Sequence, residues 1–189
     1  MNFKEYINKR MFKESPYPSG IFISSELDGL GGNNVEYQQI ITTGKEIDSF
    51  ILNNKEYKVY YKKDFGIDSN YFIDDTPPHI KAVFKYKKYK HNGYICTHMW
   101  RLKESNLKMN WILLDYFLTK LKLIFSDPSL TNKGEEFWKS LIEHNINNSK
   151  YQFGIYNIEE DELISYKYFE DFDNIWENGN ISIWVKLND

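Results

Sequence analysis

Asp115 is the one charge in the run Trp111-Ile112-Leu113-Leu114-Asp115-Tyr116-Phe117-Leu118. A carboxylate among apolar side chains either finds a partner or holds its proton to unusually high pH, which is the property of a general base. The alternative is that Asp115 occupies a narrow exposed stripe of a buried helix. A second group lies in residues 126–138, where Ser126, Asp127 and Thr131 precede an apolar stripe containing Trp138. Polar side chains after a strand and before a helix start can form the rim of a binding site, since a helix N-terminus offers free N–H donors. The same residue types also serve as caps and turns.

Cys96 and His98 stand at i and i+2, where a regular strand puts both on one face, and His91 precedes them. A closed structural metal site takes four ligands, and there is no fourth at useful spacing, so no metal is expected. The basic and aromatic residues Lys85, Lys87, Trp100 and Arg101, with Tyr89 and Tyr94, can track phosphates and stack bases as a single-strand binding surface does. The Gly- and Asn-rich stretch 28–34 lacks the Lys-Ser/Thr of a P-loop and the spacing of a dinucleotide fingerprint. No cofactor follows from it.

These residues sit on elements that the pattern outlines. Phe3, Ile7, Met11 and Phe12 predict a short helix over 2–14, ended by the turn residues 15–20. A strand is expected over 21–23, and 48–52 forms either a helical turn or a strand. Residues 57–63, 80–90 and 94–102 have strand composition. Between the last two, Asn92-Gly93 predicts a tight turn, so 80–102 is a β-hairpin. Apolar density predicts a helix over 107–121 and a short strand at 123–125. Asn132 with Glu135 resembles a helix cap, opening a second helix over 133–145. Strands at 151–156 and 181–187 flank an acidic stretch, within which 168–175 is expected to be helical.

Strand, strand, strand, helix, strand, helix, strand and a final strand, from residue 57 on, is an order that resembles the GNAT family of N-acyltransferases. The resemblance lies in element order over about two thirds of the chain. It implies a mixed sheet that splays open to hold acyl-coenzyme A. It also implies a glycine-containing loop between the third strand and the first helix, with backbone N–H groups binding the pyrophosphate. The matching residues, 101–108, read Arg-Leu-Lys-Glu-Ser-Asn-Leu-Lys and contain no glycine. Close backbone approach to phosphate is hindered there by every Cβ.

Composition sets the outer limits. The 189 residues suit one α+β domain with a mixed or antiparallel central sheet, comprising an N-terminal helix and loop region (1–55) and a sheet and helix core (56–189). Fifteen Tyr, 13 Phe and 5 Trp predict an aromatic core. A net charge of −3 gives no general attraction to nucleic acid or acidic membranes. A single cysteine forms no internal disulfide and suits a reducing compartment, and nothing in the N-terminal residues resembles a signal peptide or a membrane span, so the cytoplasm is expected.

With no complete catalytic motif, the reading favoured by sequence is a non-enzymatic protein that binds another macromolecule, a protein first of all. A phage or mobile-element accessory protein that inhibits a host protein is of this type. The alternatives are a divergent GNAT-like acyltransferase and a nucleic-acid-binding protein using the hairpin.

Overall fold

The computed structural model describes residues 33–173, 175–176 and 180–188. The expected helix at 2–14, the strand at 21–23 and all but the end of the Gly- and Asn-rich stretch lie outside them. Asn33 and Asn34 open a helix, α1 (Asn33–Thr43). Gly44 then ends it, its amide donating to Ile40 O at 2.7 Å.

The chain is an α+β fold built on one nine-stranded, mostly antiparallel sheet. The strands are β1 (Lys45–Leu52), β2 (Lys55–Asp64), β3 (Ile67–Ile73), β4 (Ile80–Lys88), β5 (Tyr94–Arg101), β6 (Leu123–Phe125), β7 (Tyr151–Asn157), β8 (Glu162–Tyr166) and β9 (Ile181–Leu187). Their spatial order is β1-β2-β3-β4-β5-β6-β9-β7-β8. The first five form an antiparallel meander. β5 and β6 are parallel, joined by the crossover helix α2, whose π-helical turns Trp111–Phe117 run on into an α-helical end, Leu118–Leu121. After β6 comes α3 (Asn132–Asn145).

Residue 48–52 belongs to strand β1, which settles the choice left open by its sequence. β3 and β8 were not legible as strands. β3 carries Asp68, Ser69 and Asn70 in its middle, and β8 lies inside the acidic stretch, so neither has the apolar alternation that marks a strand. The hairpin at 80–102 is present, but its left-handed residues are His91 (φ 50°) and Asn92 (φ 57°), not Asn92 and Gly93. Gly93 answers a different need: a Cβ there would stand 2.6 Å from the Phe125 ring. The expected helix at 168–175 is a single 3-10 turn, Phe169–Phe172. The cap of α3 is Thr131, whose Oγ1 accepts from the Gly134 amide at 3.2 Å, rather than Asn132.

Both sheet faces are covered. On one, α2 and α3 bring Ile112, Leu113, Phe117, Trp138 and Leu141 onto Val59, Phe72, Phe84, Met99 and Val185. Phe84 stacks on Phe117 with ring centroids 4.1 Å apart. On the other, Ile40 of α1 packs on Tyr71, Ile80, Val83 and Trp100. Each buried ring removes a large apolar area from water, so this aromatic lining dominates the stability of the sheet.

Candidate functional site

Parallel contact between β5 and β6 is limited to two registered pairs, Tyr94 with Ile124 and Ile95 with Phe125. Beyond them the strands part. β5 continues through Arg101 along β4, whereas the chain after β6 stays with β9, the Ser126 amide donating to Ile183 O at 2.7 Å. A narrow slot of about 40 Å³ occupies the opening. Residues 96–99 of β5 form one wall; Asp127, Ser129, Leu130 and the first turns of α3, with Phe137 and Trp138, form the other. It opens toward the carboxyl ends of two parallel strands, where ligands of α/β sheets characteristically bind.

A β-bulge shapes the β5 wall. Lys85 is registered with His98 and Tyr86 with Cys96, leaving Thr97 as the extra residue. Directly opposed residues share a face and successive residues of β4 do not, so the bulge puts Cys96 and His98 on opposite faces. The i and i+2 face sharing expected of them is therefore absent. Among the described residues no group of three or more His, Cys, Asp or Glu is arranged to hold a metal ion.

Burial governs the titrating groups of the slot. The Cys96 thiol is pushed up to about 12 by burial and by the charge of Asp127. His98 is held down to about 4 by burial and by the neighbouring Lys85 charge, so its imidazole is neutral at physiological pH. Burial raises the Asp127 carboxyl, against the hydrogen bond from the Ser129 amide (2.8 Å) and the charge of Lys87.

The residues singled out by sequence fall into separate places. Asp127 and Thr131 line the slot, Thr131 also capping α3. Ser126 is 1% exposed and is tied to β9: Oγ accepts from the Ile183 amide at 2.9 Å, and O accepts from the Ser182 hydroxyl at 2.6 Å. It anchors a strand rather than forming a rim. Asp115 projects from α2 onto Lys150 Nζ (2.8 Å) and the Tyr151 hydroxyl (3.0 Å), with 43% of its side chain exposed. It occupies the exposed stripe.

Lys85 lies half-buried beside Glu36 of α1, and burial lowers its pKa while the Glu36 charge opposes that shift. Lys87 is exposed. Trp100 is 1% exposed within the α1-side core, so its ring has no free face for stacking. The Arg101 guanidinium folds over the backbone, donating to Leu102 O (3.4 Å) and Lys103 O (3.1 Å).

Sequence inspection missed Thr97, His98 and Ser129 as parts of one slot. No local signal marks a bulge in this hairpin, because it is a relation between two strands and not a property of either.

No helix among the described residues is long and apolar enough to cross a membrane. No family model matches the chain. No curated protein matches it either.

Proposed function

We propose that this protein transfers an acyl group from a pantetheine thioester to a nucleophile, with the thioester lying in the slot between β5 and β6. The observation that carries this reading is the parting of two parallel strands after only two registered pairs. The GNAT-like order of elements implies a sheet opened to receive an acyl-coenzyme A arm, and the opening lies at the parallel pair between the two crossover segments. From residue 57 on, β3 and β8 are strands beyond the expected order, so the three strands before the first helix are β3, β4 and β5 rather than the ones at 57–63, 80–90 and 94–102. From β3 the elements run three strands, helix, strand, helix, strand, then a closing strand, with β8 added as an edge hairpin.

The chain's own groups suit that ligand. Residues 96–99 present a strand edge that β6 does not cover, and an extended arm carrying two amides can pair with such an edge as an added strand. Met99, Leu130, Phe137 and Trp138 give the slot an apolar lining that excludes water from the thioester. Asp127, its carboxyl raised by burial, is the group on the slot wall suited to take the proton that the attacking nucleophile loses. The thioester itself supplies an activated carbonyl and a sulfur leaving group. The nucleophile's bond to the carbonyl carbon forms as the carbon–sulfur bond breaks.

A non-enzymatic binding role is the second reading, favoured by Phe65 at the β2–β3 turn and Ile51 on the edge strand β1, which are 104% and 76% exposed.

Thermal melting with acetyl-pantetheine tests the slot, since a ligand at about 100 times its Kd adds roughly 2.7 kcal/mol to the native state. A raised melting temperature that Ser129→Trp abolishes is expected, as is thiol release when small amines are added. Binding without thiol release would favour the non-enzymatic role. Absence of any shift at millimolar thioester would dismiss the slot as a thioester site.

A further inference from the structure

We propose that a second cavity, between the end of α3 and the parting of β7 from β8, binds an uncharged pyranose sugar. This site stands independently of the acyl-transfer reading. The first turns of α3 line the slot and its C-cap, Ile146, lines the cavity, so a helix of roughly 21 Å, at 1.5 Å per residue, separates the two.

The strands create the space. Registered pairs between β7 and β8 run from Asn157 and Glu162 to Phe153 and Tyr166 and stop there, while β7 continues through Gln152 and Tyr151 on β9 alone. β8 leads away into Lys167, whose amide donates to the Asp171 carboxylate at 3.3 Å. The turn after α3 closes another side, the Tyr151 amide donating to Asn148 O at 3.0 Å. The cavity measures about 290 Å³, close to the lower end of the volumes that hold small ligands.

The chemistry of the walls selects the ligand. Asn147, Asn148, Gln152 and Asn188 contribute amides, and Ser149 and Ser165 hydroxyls. An amide side chain both donates and accepts, as a sugar hydroxyl does. Gln152 gives its Nε2 to Ser165 Oγ at 2.8 Å, and Asn188 its Nδ2 to Ser149 O at 2.7 Å, which leaves the Oε1 of one and the Oδ1 of the other as acceptors. The Asn147 side chain has no hydrogen bond among the described residues. Tyr151, Phe153 and the half-buried Tyr166 add ring carbon for the C–H faces of a pyranose.

Other ligand classes fit less well. Among the described residues no carboxylate lines the cavity, so a cation gains nothing there. Lys167 is the one cation of the lining and stands exposed, while the C-terminus of α3 beside it carries the negative end of the helix dipole, so an anion is not favoured either. A wholly apolar ligand would strip water from the amides without replacing its hydrogen bonds. An uncharged ring with hydroxyls at its rim satisfies both the amides and the aromatic carbon.

Isothermal titration calorimetry with glucose, galactose, mannose and N-acetylglucosamine tests the site. At least one should bind saturably at millimolar concentration, with an affinity that salt does not change, since no charge is neutralised. Asn147→Ala removes a side chain that loses no bond in the free protein, so it should leave the melting temperature unchanged and weaken that sugar several-fold. Ser165→Trp, on the exposed edge strand, should fill the cavity and abolish sugar binding while leaving any response of the slot to acetyl-pantetheine as it was. Binding of inorganic phosphate that falls with salt and disappears in Lys167→Ala, with no sugar bound, would overturn the proposal in favour of an anion site. Absence of saturable heat with all four sugars would overturn it as well, as would sugar binding that neither Asn147→Ala nor Ser165→Trp weakens.

Discussion

Ser126 and Ile183 are joined twice: the Ile183 amide donates to Ser126 Oγ at 2.9 Å, and the Ser126 amide donates to Ile183 O at 2.7 Å. The pairing holds the chain beyond β6 on β9, so it cannot close over the free edge of β5. A buried serine thereby keeps the slot open. Ser126→Ala leaves the Ile183 amide one acceptor short in a dry interior, a loss of about 1–3 kcal/mol. Urea denaturation should show it, and acetyl-pantetheine affinity should fall with it.

Asp74 is the centre of a buried charge cluster. Its carboxylate, 0% exposed, lies 2.8 Å from Lys55 Nζ and 3.3 Å from Lys81 Nζ, and takes the amide and hydroxyl of Thr76 at 2.8 Å each. Lys81 is itself only 5% exposed. Asp74→Asn leaves that ammonium buried without its counter-charge and should cost about 3–5 kcal/mol, measurable by chemical denaturation.

The same cluster sets an acid dependence. Burial acts to raise the Asp74 carboxyl, but hydrogen bonds from Lys55 and Thr76 and the charge of Lys81 outweigh it, and its pKa lies below the ordinary value. A depressed folded-state pKa means that the unfolded chain binds the proton first as pH falls. The stabilisation is complete above about pH 4 and is lost as pH drops through the folded pKa. Denaturation midpoints at pH 6 and pH 3 should differ more in the wild type than in Asp74→Asn.

Cys96 should be inert. With the residue 8% exposed and its thiol raised to about 12, almost no thiolate exists at neutral pH. Iodoacetamide at pH 8 should leave the native protein unmodified and label it fully in denaturant. Rapid native labelling would contradict the packing of β5 against the helical layer.

Gly154 of β7 has no room for a methyl group. A Cβ would lie 2.0 Å from Ile164 O and 2.5 Å from Trp184 Cζ2, with neighbouring backbone on one side and a buried ring on the other. Gly154→Ala should therefore destabilise by about 3 kcal/mol through forced displacement of β8 and the indole, lowering the melting temperature and loosening the β7–β8 pair.

Asp115→Asn is expected to do little. The Asp115 to Lys150 pair is exposed on both sides, 43% and 49%, and solvent screening limits such a pair to about 0–1 kcal/mol. Thiol release from a bound thioester should be unchanged, whereas Asp127→Asn should reduce it strongly with thioester affinity retained.

Most elements from residue 80 onward were legible because the apolar pattern there is local: the hairpin, α2, α3 and the two strands around the acidic stretch each announce themselves through residues a few positions apart, whereas β8 inside that stretch does not. β3 was not, because Asn70 and Ser69 become buried only when β2 and β4 close on either side of them. Candidate site residues divide in the same way. Asp127 and Thr131 could be named from their place between a strand and a helix. Thr97 could not, and His98 stood out only as a metal-ligand candidate beside Cys96; nor could the anchoring role of Ser126 be read, since these places depend on a bulge opposite Lys85 and Tyr86 and on a bond to Ile183, 57 residues away. The absence of glycine from residues 101–108 was plain in the sequence alone. That residues 96–99, just before this segment, form one wall of a slot was decided only by the tertiary structure. Two parallel strands part when each has a better hydrogen-bonding partner on its far side, and no pattern along one strand records what lies across from it.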